Sequence, residues 1–275
     1  MYADDVKLFD VVKPGLGHVA LQGSLDRIDE WCLNNGMALN DAKCVMMSFR
    51  RGSNVLDFQY FLRGAPLKRV LKFKDLGVVM SPSLSPLEHI CGMTSRAGSL
   101  LGFIFRSSRD FRSLYSLLVL FRALVLPVLE YASVVWSPYH QYQIDQLHRV
   151  QRRFVRMLGC RMGFAYFDVS VMELENRFGL LPLAQRRRLN DLVLLFKLVN
   201  GTLDCPELLA GIDICAPRGT RSRTIFRRCL HTTAYTYNSG LSRILRSGCE
   251  AAAAGIEFFG VSAMAFKGAV LQLGL

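Results

Sequence analysis

The hydrophobic pattern changes character near Pro86. Ahead of it, apolar runs are short and separated by Gly, Pro and Asn, the mark of strands joined by tight turns. An apolar-alternating run from Val6 to Val12, closed by Pro14, Gly15 and Gly17, predicts a strand. Leu21, Leu25, Ile28 and Cys32 recur at helical spacing, with Trp31 beside them as a core candidate. They predict a helix from His18 to Asn35, stopped by Asn34, Asn35 and Gly36. Further strands are predicted from Lys43 to Phe49, Val55 to Leu62 and Val70 to Met80.

After Pro86 the spacing becomes helical. The predicted helices run from Leu87 to Arg106, Asp110 to Leu126, Val128 to Trp136, Gln141 to Leu158, Val169 to Phe178 and Leu183 to Val199. In the fourth, Ile144, Leu147, Val150, Phe154 and Leu158 mark one apolar face; in the last, Leu189, Leu192, Val193, Phe196 and Val199 do so. Tyr115, Phe121 and Tyr131 read as packing residues, and so does Trp136. Beyond Gly201 the pattern weakens. Thr220 to Arg228 is basic and reads as extended, while Ala251 to Ala254 is helix-prone.

Composition narrows the class. Of the 275 residues, 51% are hydrophobic, enough for a real core and against disorder throughout. The stretch from Leu114 to Trp136 is long enough to span a bilayer. Arg122, Glu130 and Pro127 interrupt it, so a buried helix pair is preferred over a membrane-associated helical protein, and no stable membrane association is expected. The eight cysteines show no CxxC pair and predict reduced, intracellular thiols, with no recognisable signal peptide ahead of them.

Charge adds a partner class. The net charge is +12, and it is uneven. Residues 1–145 carry 16 basic and 13 acidic side chains, whereas residues 146–250 carry 17 and 8. A basic second half suits a polyanion or is simply a solvated surface. Arg149, Arg152, Arg153 and Arg156 recur at three- and four-residue spacing and can share a helix face. Arg186, Arg187 and Arg188 form a second group, and Arg218, Arg221, Arg223, Arg227 and Arg228 a third. Such faces either follow phosphates or are solvated.

Tyr2-Ala3-Asp4-Asp5 places two carboxylates behind a tyrosine. Paired acids in a tight turn can face a divalent cation of the kind phosphoryl transfer uses. This segment resembles the catalytic hairpin of reverse transcriptases, specifically those of animal non-LTR retrotransposons. Residues 31–40 (Trp31-Cys32-Leu33-Asn34-Asn35-Gly36-Met37-Ala38-Leu39-Asn40), with Lys43-Cys44, resemble the next palm segment, and Lys74-Asp75-Leu76-Gly77-Val78 the one after. Leu129 to Pro138 and Val150-Gln151-Arg152-Arg153-Phe154 are similar to the thumb. Leu195-Phe196-Lys197, Gly201 and Asp204-Cys205-Pro206 continue the likeness, which runs in order along nearly the whole chain.

The resemblance implies an α+β chain: a partial polymerase palm followed by a mostly helical thumb and tail. It divides as residues 1–84 (palm), 85–175 (thumb) and 176–275 (basic C-terminal region). It implies that Asp4 and Asp5 hold Mg2+, that Tyr2 lies beside a primer terminus, and that Lys43 is either a general acid toward pyrophosphate or a surface lysine. It implies contact with an RNA template and an RNA–DNA or DNA duplex through Arg149, Arg152, Arg153, Arg156, Arg186 and Arg187. The family's earlier palm carboxylate and its fingers segment have no counterpart before Tyr2. The expectation is therefore a polymerase remnant, inactive alone, or a non-catalytic binder of RNA or RNA–DNA hybrid.

Overall fold

The computed structural model describes residues 5–12, 17–50, 58–111, 113–215, 225–227 and 231–274. The chain divides into two compact units, Met1–Ser85 and Pro86–Leu275. The first holds short strands and one helix; the second is mostly helical, so the class is mixed α+β.

In the first unit, α1 spans Gly17–Asn34. It closes as expected: Gly36 takes a positive φ of 67°, its N–H bonds the Leu33 carbonyl, and the Met37 N–H bonds that of Cys32. Cys32 is buried, and Leu21, Leu25 and Ile28 are half-buried. Trp31 is 54% exposed, contrary to its expected core position, because it sits one residue off that line.

The strands pair in twos. β1 (Val45–Met46) lies parallel to β4 (Lys68–Arg69). β2 (Phe61–Leu62) and β3 (Ala65–Pro66) form a hairpin, as do β5 (Phe73–Asp75) and β6 (Val78–Met80). Both hairpins turn on two residues of positive φ, Arg63-Gly64 and Leu76-Gly77, the twist that suits strands joined by a two-residue loop. The single strand predicted from Val70 to Met80 is thus corrected to a hairpin. Glycine signalled the turn, but Leu76 at φ 43° gave no sign of it. The Gln22 side chain of α1 behaves like a strand edge: it donates to the Phe61 carbonyl at 2.8 Å and accepts from its N–H at 2.9 Å.

The strand expected from Val6 to Val12 does not form. These residues lie in irregular backbone, and Phe9 is 92% exposed. Alternation needs a ladder partner to become a strand. Here the segment is instead held by an ion pair from Lys7 to Asp75.

In the second unit, α2 (Leu87–Ser107) buries Ile90, Met93, Ala97, Leu101 and Ile104, one helical face. The apolar stretch that follows is a rod of α3 (Leu114–Leu120), a π turn (Phe121–Val125) and α4 (Leu126–Glu130). The sequence predicted a break before Val128. The helix instead opens one wide turn ahead of Pro127, which then falls in the first turn of α4, where its missing donor matters least. The break comes at Tyr131-Ala132, with Ala132 at φ 50°, before α5 (Ser133–Trp136). The buried Trp136 donates its indole N–H to the Tyr131 carbonyl at 2.7 Å and closes the corner. Tyr115 and Tyr131, expected in the core, are exposed; Phe121 is buried and stacks on Phe154 with ring centres 3.9 Å apart.

That phenylalanine belongs to α6 (Gln141–Arg161), whose buried face holds Leu147, Val150, Phe154, Val155 and Leu158. Next come α7 (Val171–Arg177) and α8 (Leu183–Val199). The tail adds α9 (Pro206–Ala210), α10 (Ala234–Asn238), α11 (Gly240–Ala253) and α12 (Ala263–Gln272). α8 packs against α4, α5 and α6 and also against α11 and α12. Its Leu192, Leu195, Phe196 and Leu198 join Phe226, Ile244, Leu245, Cys249, Phe258, Phe266 and Val270 in one core. α8 and α11 approach closely at Gly248, where a Cβ would collide with Leu195 and press on Phe226. Among the described residues, no helix is long and apolar enough to cross a membrane.

Polar groups also tie α8 in place. Asp191 takes a two-pronged bond from Arg243 of α11 at 2.7 and 3.1 Å, and Arg243 also donates to the Val134 carbonyl of α5 at 2.8 Å. The side chains are 3% and 13% exposed for Asp191 and Arg243. Asn190 donates to Ser133 Oγ at 3.0 Å. Removing one partner leaves a buried charge without its counterpart. Asp191→Ala is therefore expected to lower unfolding free energy by about 3–5 kcal/mol, against less than about 1 kcal/mol for Glu250→Ala in the outer Arg188–Glu250 pair. Urea denaturation followed by circular dichroism checks the contrast; equal losses would refute it.

Candidate nucleic-acid interface

The two candidate chemistries fall in different units. Tyr2 and Asp4 lie outside the described residues. Asp5 is exposed, and Lys43 is exposed in the turn that leads into β1. Asp75, in β5, is ion-paired to Lys7. Asp29 is bound by Arg63 at 2.8 Å, and Asp41 lies 3.8 Å from the same guanidinium. Asp10 caps the Val11 N–H at 2.7 Å, and Asp26 accepts from Gln22 at 2.7 Å. Among the described residues no three His, Cys, Asp or Glu side chains converge as a metal-binding group.

The arginines separate into two kinds. Arg149, Arg152 and Arg153 are exposed along α6, opposite the face that buries Leu147, Val150 and Phe154. A helix rises 1.5 Å per residue, so Arg149 and Arg153 lie about 6 Å apart along the axis and can meet successive phosphates of one strand. Arg156 is half-buried, with its guanidinium 5.3 Å from the centre of the Tyr166 ring. Arg161, which the sequence did not single out, donates to the carbonyls of Arg109 and Ser108 at 3.0 and 3.1 Å and satisfies the end of α2.

The α8 group is placed differently from its expected phosphate-facing role. Arg186 is half-buried and forks onto both oxygens of Glu130. Arg187 is 4% exposed, so it cannot present an open cationic surface. Burial lowers its guanidinium to about 10, against the pull of nearby Asp191, so it stays charged at neutral pH. Arg188 bonds Glu250 at 2.7 Å. The apolar stripe of α8 fills with partners on two sides, which turns residues between the stripes inward as well. That was not visible in local spacing. In the third group, Arg227 is exposed, and its N–H bonds the Asp213 carbonyl at 3.0 Å; Arg218, Arg221, Arg223 and Arg228 lie outside the described residues.

Comparison with protein-family models, curated proteins and solved structures gave no match.

His148 links the two arginine groups. Burial holds its imidazole below the ordinary 6.5, helped by the positive charges of Arg187 and Arg152 and opposed by Asp145. The unfolded chain then binds a proton that the folded chain refuses. Stability is full above the ordinary value and falls as pH drops below it, until the folded value is reached. The expected outcome is a urea midpoint that declines between pH 7.5 and 5.5, with a shallower decline in His148→Leu. An unchanged slope in that variant would contradict the assignment.

Proposed function

We propose that the chain is the palm-and-thumb portion of a reverse transcriptase of the animal non-LTR retrotransposon type, and that by itself it binds an RNA–DNA hybrid without extending it. Support for the origin is the ordered run of motifs from Tyr2-Ala3-Asp4-Asp5 to Asp204-Cys205-Pro206. In this reading the unit Met1–Ser85 is palm and the unit Pro86–Leu275 is thumb and tail. The observation that carries the binding function is the exposure of Arg149, Arg152 and Arg153 on one helix, while the α8 arginines are engaged internally. Contacts of this kind fix a duplex in place without reading its sequence.

Magnesium would find carboxylates at Asp4 and Asp5, while five other acids among the described residues of this unit already have partners. Asp29, Asp41 and Asp75 sit against cations, and Asp10 and Asp26 are used locally. Working two-metal geometry needs several fixed oxygen ligands. No catalytic step is therefore assigned to this chain, and Lys43 has no leaving group to protonate in it.

Two measurements test this reading. Hybrid affinity should fall as salt rises, and Arg149→Ala/Arg152→Ala/Arg153→Ala should reduce the salt slope by about 2–3, near 0.9 per lost phosphate contact. A salt-independent curve, or an unchanged slope in the triple variant, would remove the binding function. In primer extension on an RNA template with magnesium, the purified 275-residue chain is expected to add no nucleotide. Incorporation that disappears in Asp4→Ala would overturn the inactive half of the proposal.

A further inference from the structure

The end of α6 carries a second surface that the arginines alone do not explain. Between α6 and α7 the chain reads Met162-Gly163-Phe164-Ala165-Tyr166-Phe167-Asp168. Phe167 is 85% exposed and Phe164 50%. Tyr166 and Phe167 meet edge to face with ring centres 5.3 Å apart.

These rings are held out by a fixed backbone. Gly163 turns the chain at φ 96°, and the Phe164 N–H bonds back to the Gly159 carbonyl at 3.1 Å. The Asp168 N–H bonds the Ala165 carbonyl at 3.0 Å, and Val169 is buried, pressed so closely on Gly159 that a Cβ there would clash. Arg156 lies over Tyr166 and ties the loop to the basic helix. The anchored loop leaves two phenylalanines in water, and Arg156, over Tyr166, stands one turn on from the exposed Arg152 and Arg153 along α6.

Flat apolar rings beside guanidinium groups suit a partner with accessible π faces and a negative backbone. Bases inside a duplex have both faces covered by their neighbours. Unpaired bases do not, and they stack on aromatic side chains regardless of sequence. We infer that residues 164–167 form a stacking platform for the single-stranded nucleotides that leave a duplex lying on the α6 arginines. This rests on the hybrid-binding function proposed above and specifies the part of the nucleic acid that the loop takes.

The test compares a blunt RNA–DNA hybrid with the same hybrid carrying a single-stranded overhang that contains 2-aminopurine. The overhang should tighten binding about fivefold or more and quench the 2-aminopurine fluorescence, as stacking does. Phe164→Ala/Phe167→Ala should abolish both effects and leave blunt-hybrid affinity unchanged, and Phe167→Trp should retain the quench. Both residues are exposed, so the fold should hold, and circular dichroism checks that it does. Blunt-hybrid binding with no gain from the overhang would overturn the platform and leave the hybrid-binding function standing. Absence of binding to either probe would overturn both. Phe167-dependent sedimentation with phosphatidylserine–phosphatidylcholine vesicles, without an overhang effect, would assign the loop to a lipid surface and overturn the platform.

Discussion

Asp191 is the group on which the helical unit depends. It is a carboxylate almost fully removed from water, with both oxygens gripped by Arg243 and the charge of Arg187 close by. Burial pushes its carboxyl up, and the Arg243 fork opposes that push. Arg243 extends the same contact to the Val134 carbonyl, so one ion pair fixes α11, α8 and the corner after Ala132 together. An apolar pair of similar volume could hold such a junction as tightly. It would not supply the directed bonds that select this corner, where Ala132 holds a left-handed backbone that its side chain disfavours.

The same junction decides which arginines face outward. Arg186 and Arg188 are engaged by Glu130 and Glu250, and Arg187 is buried with the charge of Asp191 near it. α6 meets its neighbours mainly through an apolar face, including the Phe121–Phe154 stack, with Gln151 and Arg161 adding polar ties. Its arginines on the other side have no such duty. Among the described residues, the basic excess of residues 146–250 therefore divides between charge that holds the fold and charge open to solvent.

Much of the helical unit was legible from spacing. The stripe Leu147, Val150, Phe154 and Leu158 is buried as predicted, and α8 runs from Leu183 to Val199 as predicted. The strands were less legible. Val6–Val12 had the right alternation, but a strand exists only with a partner, and Lys7 finds Asp75 instead. A local pattern also could not show that Leu76-Gly77 reverses the chain or that a π turn would absorb Pro127. For the site, helical spacing placed Arg149, Arg152 and Arg153 together. It could not distinguish them from Arg186 and Arg187, because burial there depends on Asp191 and Glu130 arriving from other turns and helices. The aromatic run Phe164, Tyr166 and Phe167 was in plain view, but aromatic residues usually signal core, and only exposure shows otherwise.

The two arginine groups differ in exposure and engagement, and chemical modification reads that difference directly. Phenylglyoxal labelling of the intact chain, mapped by mass spectrometry with and without an RNA–DNA hybrid, should modify Arg149, Arg152 and Arg153 in the free protein and lose those adducts on binding. Arg187 should remain unlabelled in both states. Rapid labelling of Arg187 that the hybrid suppresses, with Arg149, Arg152 and Arg153 indifferent to its presence, would contradict the account.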